Sequence, residues 1–308
     1  MIRPYLGKDI KAIIDLWRKS LPEHEISERS FVKNVLLDMN FEPEGFLVAE
    51  EDGELLGFAW AIVRKYPVDT GAPSEEDRAY LNLLVLKNED DINGGVGEAL
   101  IRAAEKYIYS HGEKKIFISG YTPNYFYPGV NAARTKYIEL YKSLGYTEQK
   151  RNYSIYIDLR AFEQNPEIEA LKAKRESEGF GFAPLSPEHI PSLLRSTLPG
   201  WRHRHRRLLN ETMDYNKFSL VLKDGEVIGS AVFGDPYSAE ERFGPYGVSE
   251  QYRGLGLGKI LLYNTLMTMK KRGLLCAWSQ STPTSGPAFT VYEKFGFVKT
   301  AEFITMAK

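Results

Sequence analysis

Ile10, Ile13, Ile14 and Trp17 recur at i, i+3, i+4 and i+7, the period of a helix with one buried face. Downstream, "VAEEDGELLGFAWAI", Val48 to Ile62, holds two apolar runs about an Asp-Gly pair, which predicts a tight hairpin. The order then returns. Ile190, Leu193, Leu194 and the less apolar Thr197 mark a second helix, and "LVLKDGEVIGSAVFG", Leu220 to Gly234, a second Asp-Gly hairpin. Each hairpin precedes a strand, a glycine-rich turn and a helix, in "YLNLLVLKN…NGGVGEALIRAAEKYIYSHG" and "FGPYGVSEQYRGLGLGKILLYNTLMTMKKRG". Gly112 and Gly273 stop those helices. A strand ("KKIFISG", "LLCAWSQS"), a short helix closing on "LYKSLGY" or "VYEKFGF", and a last strand ("RNYSIYIDL", "AEFITMA") complete each copy. The pattern predicts two α+β domains with mixed sheets, residues 1–162 and 179–308. The charged, helix-prone residues 163–178 read as a linker.

Length and composition agree with this plan. A chain of 308 residues fits about two domains of roughly 150 each, and 43% apolar residues suffice for ordinary cores. No apolar run approaches the ~18 residues of a membrane helix, and "MIRPYLGKDIKAII" lacks the pattern of a signal peptide. A lone cysteine, Cys276, excludes an intrachain disulfide and a cysteine-rich zinc site. A soluble, cytoplasmic protein without a metal site or a membrane partner is expected. The net charge of −1 gives no general attraction to nucleic acid. The local exception is "GWRHRHRRLL". On a helix, Arg202 shares a face with Arg206, and His203 with Arg207, with Arg204 and His205 between them. A solvated helix face is the leading expectation for this run, ahead of an anion site, with RNA last because no companion basic stretch supports it.

The glycine turn carries the chemistry. Gly254, Gly256 and Gly258 crowd the approach to a helix in "SEQYRGLGLGKILLYNTL", Ser249 to Leu266. Glycine costs backbone entropy, so three in so short a span need a steric or ligand-based reason. A strand leading through glycines into a helix N-terminus offers free N–H groups, a positive dipole end and room for phosphate oxygens. Two common nucleotide motifs fail. Lys259 stands where a dinucleotide fingerprint needs its third glycine, and no acid follows in "GLLCAWSQ". In a P-loop the first glycine would replace Arg253, and Ser or Thr would replace Ile260.

Arg253-Gly254-Leu255-Gly256-Leu257-Gly258 instead resembles the R/Q-x-x-G-x-G/A signature of the GNAT N-acetyltransferase superfamily. Tyr292-Glu293-Lys294-Phe295-Gly296-Phe297 is similar to the family's Tyr-x-x-x-Gly-aromatic ending. The chain thus resembles a tandem GNAT protein over nearly everything but the linker. The resemblance implies acetyl-CoA as donor, clasped by Arg253, Gly254, Leu255, Gly256, Leu257, Gly258 and Lys259. It implies that the strand Phe243 to Val248 splays from the next, with Tyr246, Gly247 and Val248 lending backbone groups to the pantetheine and thioester. It gives Tyr292 the role of general acid, which a phenol with pKa near ~10 suits. The same tyrosine forms an apolar stripe with Ala288 and Phe295, so packing is the competing reading. The base is left open, with Glu240, Glu241 and Glu250 close in sequence.

The first copy departs from the signature. Ile92-Asn93-Gly94-Gly95-Val96-Gly97 keeps both glycines but lacks the arginine, and Glu89, Asp90 and Asp91 precede it. Weak or absent donor binding is expected there, although Tyr141 to Tyr146 keeps the ending. "YTPNYFYPGVN", Tyr121 to Asn131, reads equally as a pocket lining or as an inter-domain packing loop. The expected activity is acetyl transfer to a primary amine of an unidentified small molecule, peptide or protein, by a monomer or homodimer without nucleic acid. A non-catalytic acyl-CoA-binding scaffold and a different acyl transfer on the same doubled fold are the alternatives.

Overall fold

The computed structural model describes the chain apart from residues 23, 25, 70, 71, 73–75, 89–91, 93, 94, 113, 123, 125, 198, 236–238 and 284–286. It divides into two units: Met1–Val68, Ala72–Tyr153 and Ala301–Lys308 form unit 1, and Asp69–Gly71 with Ser154–Thr300 form unit 2. The first repeat runs β1 (Ile2–Pro4), α1 (Ile10–Ser20), α2 (Glu28–Phe31), β2 (Phe46–Glu51), β3 (Glu54–Val63), β4 (Arg78–Leu86), α3 (Val96–Tyr109), β5 (Lys115–Ile118), β6 (Val130–Asn131), α4 (Thr135–Ser143) and β7 (Thr147–Asp158). After α5 (Pro166–Ser177) come β8 (Phe180–Pro184), α6 (Ile190–Ser196), α7 (Pro199–Thr212), β9 (Phe218–Lys223), β10 (Glu226–Phe233) and β11 (Phe243–Val248). The chain closes with α8 (Leu257–Lys271), β12 (Cys276–Pro283), α9 (Pro287–Lys294) and β13 (Val298–Ala307). The expected mixed α and β architecture is present in each unit.

Both Asp-Gly hairpins form. Asp52 and Gly53 have φ of 50° and 83°, Asp224 and Gly225 have 50° and 78°. Two consecutive left-handed residues match the right-handed twist of the flanking strands, which is why Asp-Gly serves there. Period-2 alternation then separates the faces. In unit 1, Leu47, Ala49 and Ala59 meet α3 through Leu100, Ile101 and Ala104, while Phe46, Val48 and Phe58 meet α1 through Ile13 and Trp17. In unit 2, Phe218 and Leu220 pack with Leu193 of α6 and with Leu208 and Leu209 of α7. Val221 and Ile228 take the other face, beneath Leu257 and Leu261 of α8. The sheet of unit 2 runs β11-β10-β9-β8.

The observed division differs from the expected boundaries at 162 and 179 in two respects. Residues 163–178 are no bare linker: α5 belongs to unit 2, its N-terminus capped by Asn165, whose side chain accepts from the N–H groups of Glu167 and Ile168. The last strands also change allegiance. Residues 301–308 of β13 belong to unit 1, where Met306 pairs with Ile118 and Phe303 with Asn131, and residues 154–158 of β7 belong to unit 2. Alternation fixes which face of a strand is apolar but not which strand lies beside it, so the pattern of "AEFITMA" could not disclose this.

The aromatic segment Tyr121 to Asn131 packs inside unit 1. Tyr121, Phe126 and Tyr127 are buried, and Phe126 meets Trp17 edge-on with ring centroids 5.1 Å apart. Pro123 and Tyr125 lie outside the described residues. Beneath this segment the Asp38 carboxylate accepts from the Tyr121 hydroxyl at 2.9 Å and the Asn40 N–H at 2.7 Å. The described rings serve a core. Among the described residues, no helix is long and apolar enough to cross a membrane.

Candidate functional site

Unit 2 carries a cavity of about 770 Å³, inside the roughly 300–1,000 Å³ range of ligand pockets. Its floor is the strand, turn and helix singled out in the sequence. Tyr246, Gly247, Val248, Arg253, Gly254, Gly256, Leu257, Gly258 and Lys259 all line it; Leu255 turns its side chain into the apolar cluster around Leu257 and Leu261 instead.

The turn has the shape of an anion cradle. Gly254 and Gly256 have φ of 83° and 79°, a region that suits glycine, and Gly256 caps α8. A methyl group at Gly254 would meet nothing within 4 Å, so open space lies over that residue. The hydrogen-bond ladder of α8 begins only where Lys259 N–H donates to Gly256 O at 3.0 Å. Among the described residues, the N–H groups of Gly254, Leu255, Gly256, Leu257 and Gly258 find no protein acceptor. Unpaired donors at a positive dipole end are what a phosphate requires.

Beside the turn, the strands part. β11 is the edge of its sheet, and among the described residues a single parallel bridge, Arg242 with Trp278, joins it to the region of β12. In unit 1 the corresponding β4 and β5 stay paired from Arg78 with Lys115 to Leu81 with Ile118. On β11, Ser249 N–H donates to Ile228 O at 2.8 Å, so Ser249 and Gly247 turn their backbone groups toward β10. Those of Tyr246 and Val248 therefore face the open edge, since successive residues of a strand alternate edges. A phosphate-bearing thioester fits this arrangement: a cradle for its diphosphate, an open strand edge for its arm, and a cavity of suitable size.

The tyrosines sit together. Tyr246 donates its hydroxyl to Gly258 O at 2.8 Å, and its ring centroid lies 5.8 Å from that of Tyr292. Tyr292 is buried, packs edge-on against Phe243 and Phe297, and does not itself line the cavity, although its neighbour Val291 does. Burial pushes both phenols upward, so each stays protonated at neutral pH. The Arg253 guanidinium is exposed and ion-paired with Glu250 at 2.7 Å.

The basic run is not a solvated face. Asp235 is nearly buried and takes ion pairs from Arg204 at 3.1 Å, Arg242 at 3.3 Å and Arg207 at 3.4 Å, and Arg206 pairs with Asp69. Arg204 also donates to Gly244 O at 2.7 Å, pinning the start of β11. Burial, then the neighbouring Arg242, pull its pKa down to about 10. His205 is fully buried, and among the described residues neither ring nitrogen finds a hydrogen-bond partner; burial lowers its pKa to about 3. The cavity also enlists residues that the sequence did not single out for it: Trp201, Thr197, Ser196 and Ser230. Trp201 lies against the strand so closely that a methyl at Gly247 would fall 3.0 Å from its Cζ3. A lone tryptophan heading a basic run was the only signal for it.

In unit 1, Gly95 caps α3 with φ of 86°, and Tyr141 is buried against Tyr146. The acids Glu89 to Asp91 and the pair Asn93 and Gly94 lie outside the described residues. Among the described residues, no group of three His, Cys, Asp or Glu side chains could hold a metal ion.

The family model described as Acetyltransferase (GNAT) family matches residues 10–146 and 187–297. A curated relative, mycothiol acetyltransferase of Amycolatopsis mediterranei, is 26% identical over 147 residues, covering 47% of this chain and 44% of that protein. The chain thus matches less than half the length of that relative. Among solved structures, a GCN5-related glucosamine N-acetyltransferase region of a fungal multi-domain GH3 beta-N-acetylglucosaminidase superposes with a TM-score of 0.80 at 17% identity. It covers 100% of this chain and 38% of that one. A tandem GNAT protein from the clavulanic acid biosynthesis pathway superposes with a TM-score of 0.65 at 13% identity, covering 100% and 98%. At such identities the structures speak for the fold alone.

Proposed function

Because the chain belongs to the GNAT acetyltransferase family, we propose that unit 2 binds acetyl-CoA and transfers its acetyl group to a primary amine. The observation that carries this reading is the cradle of unpaired N–H groups from Gly254 to Gly258, opening on the same cavity as the free edge of β11. Acetyl-CoA, when bound, supplies an activated acyl group as a thioester. Gly254, Gly256, Leu257, Gly258 and Lys259 would hold its diphosphate, chiefly by backbone donors, with Leu255 completing the turn. Arg253, paired with Glu250, contributes through its place in the turn more than through its charge. Backbone donors of Val248 and Tyr246 on the open edge suit the stabilisation of an oxyanion.

By its place in the family's ending motif Tyr292 would take the part of general acid, its phenol standing behind the cavity wall at Val291. Gly247 keeps the strand surface flat beneath Trp201, which walls the cavity beside the strand. The acceptor is an amine of a small molecule, peptide or protein. The names of the relatives, mycothiol acetyltransferase and glucosamine N-acetyltransferase, put small-molecule amines first in a screen. The reading includes neither nucleic acid nor membrane, gives unit 1 a weak donor site or none, and needs one chain for the unit 2 site.

The test is an amine panel with acetyl-CoA, followed by release of free thiol and by the mass of the product. An acetylated amine is expected from the natural chain. With Tyr292→Phe, turnover should fall about 10²-fold while CoA affinity stays unchanged. CoA binding without acetylation of any amine would favour the scaffold reading.

A further inference from the structure

The helix read from sequence as a linker, α5, touches the glycine turn at two points. Arg175 donates from Nε to Leu255 O at 2.8 Å, and four residues earlier Leu171 comes so close that a methyl at Gly256 would lie 2.8 Å from its Cδ2. Both side chains therefore project from one face of α5 onto the turn. The Arg175 side chain is only 14% exposed, and its other arm is held by Glu178.

Leu255 O and the Gly256 N–H belong to the same peptide unit. In a trans, planar peptide they point in opposite directions, so fixing one aims the other. The plane of this unit turns about ψ of Leu255 and φ of Gly256, and Gly256, at φ 79° and without a Cβ, limits that rotation little on its own side. Holding Leu255 O on the α5 side turns the Gly256 N–H away from α5, and Gly256 lines the cavity.

We propose that Arg175 is a positioning residue for the donor site: it sets the Leu255–Gly256 peptide plane so that the Gly256 N–H faces the donor's diphosphate. The inference rests on the acetyl-CoA reading of unit 2. On it, α5 is a working part of the site and not a tether.

The experiment titrates CoA into the full-length chain and into Arg175→Ala, and follows amide hydrogen exchange in both. About tenfold weaker CoA binding is expected of the variant, from the loss of one charge-assisted hydrogen bond to the turn. With CoA bound to both chains, exchange should be faster in the variant only at the amides of residues 254–258, which CoA covers, with the rest of α8 and β9 as protected as before. Unchanged affinity would overturn the inference, and so would loss of protection along the whole of α8, which marks a merely structural contact. If the natural chain itself binds no CoA, the donor reading has failed first. Should Arg175→Ala not fold, Glu178→Gln loosens the guanidinium from its other side. It is expected to give a smaller loss of affinity with the same local exchange pattern, and no change would count against the proposal.

Discussion

A methyl group at Gly258 should change sign in its effect depending on residue 246. Alanine in place of glycine inside a helix is ordinarily worth about 1 kcal/mol, through the entropy that glycine loses on folding. Here the methyl would lie 2.9 Å from the Tyr246 hydroxyl, which already donates to the carbonyl of the same residue at 2.8 Å. The hydroxyl must retreat by several tenths of an ångström, but its ring is backed by Tyr292. Retreat sacrifices a buried hydrogen bond worth about 1 kcal/mol and disturbs the ring pair by a comparable amount. Gly258→Ala alone should therefore be destabilising by about 1 kcal/mol, once the propensity gain is subtracted. In a Tyr246→Phe background the oxygen is gone and the same methyl should stabilise by about 1 kcal/mol. The coupling, about 2 kcal/mol, can be read from the slowest-exchanging amides of α8, which report the opening of unit 2 apart from unit 1. Equal effects in the two backgrounds would refute the packing argument.

Two further outcomes follow from buried groups. His205 is neutral in the folded chain with a pKa of about 3, against an unfolded value of 6.5. Above pH 6.5 neither state binds the proton and stability is untouched. Between 6.5 and about 3 only the unfolded chain binds it, so stability falls with falling pH, by about 5 kcal/mol over the window. His205→Leu should flatten the acid limb of a stability-versus-pH curve, and an unaltered limb would contradict this. Removing residues 301–308 takes Phe303, Ile304 and Met306 out of unit 1, all buried there. At about 2 kcal/mol each the loss is about 6 kcal/mol, comparable with the whole stability of a marginal domain, so unit 1 should lose its slow-exchanging amides. Retained protection in β4 and β5 would contradict the assignment of β13.

What could be read along the chain was local. The Asp-Gly hairpins declare themselves because only residues tolerant of positive φ close them, and the turn at Gly254 to Gly258 because three glycines in so short a span cost backbone entropy that needs a steric or ligand-based reason. What escaped depends on distant partners. A strand such as β13 carries its face in its alternation but not its neighbour. The basic run on α7 reads as solvated because the carboxylate it shares, Asp235, lies about thirty positions on. Aromatic rings at Tyr121 and Phe126 suit a pocket or a core alike, and only Trp17 and Trp60 around them decide it. Leu171 and Arg175 are single residues in a charged helix, and no periodicity marks a helix that grips by two side chains.

The proposed function requires one donor site, at the turn of unit 2. Calorimetric titration of acetyl-CoA into the full chain, repeated with Gly256→Glu and Gly95→Glu, tests it most directly. One site per chain is predicted, lost with Gly256→Glu and kept with Gly95→Glu. Two sites, or a site that survives Gly256→Glu, would rule out the turn of unit 2 as the sole donor site.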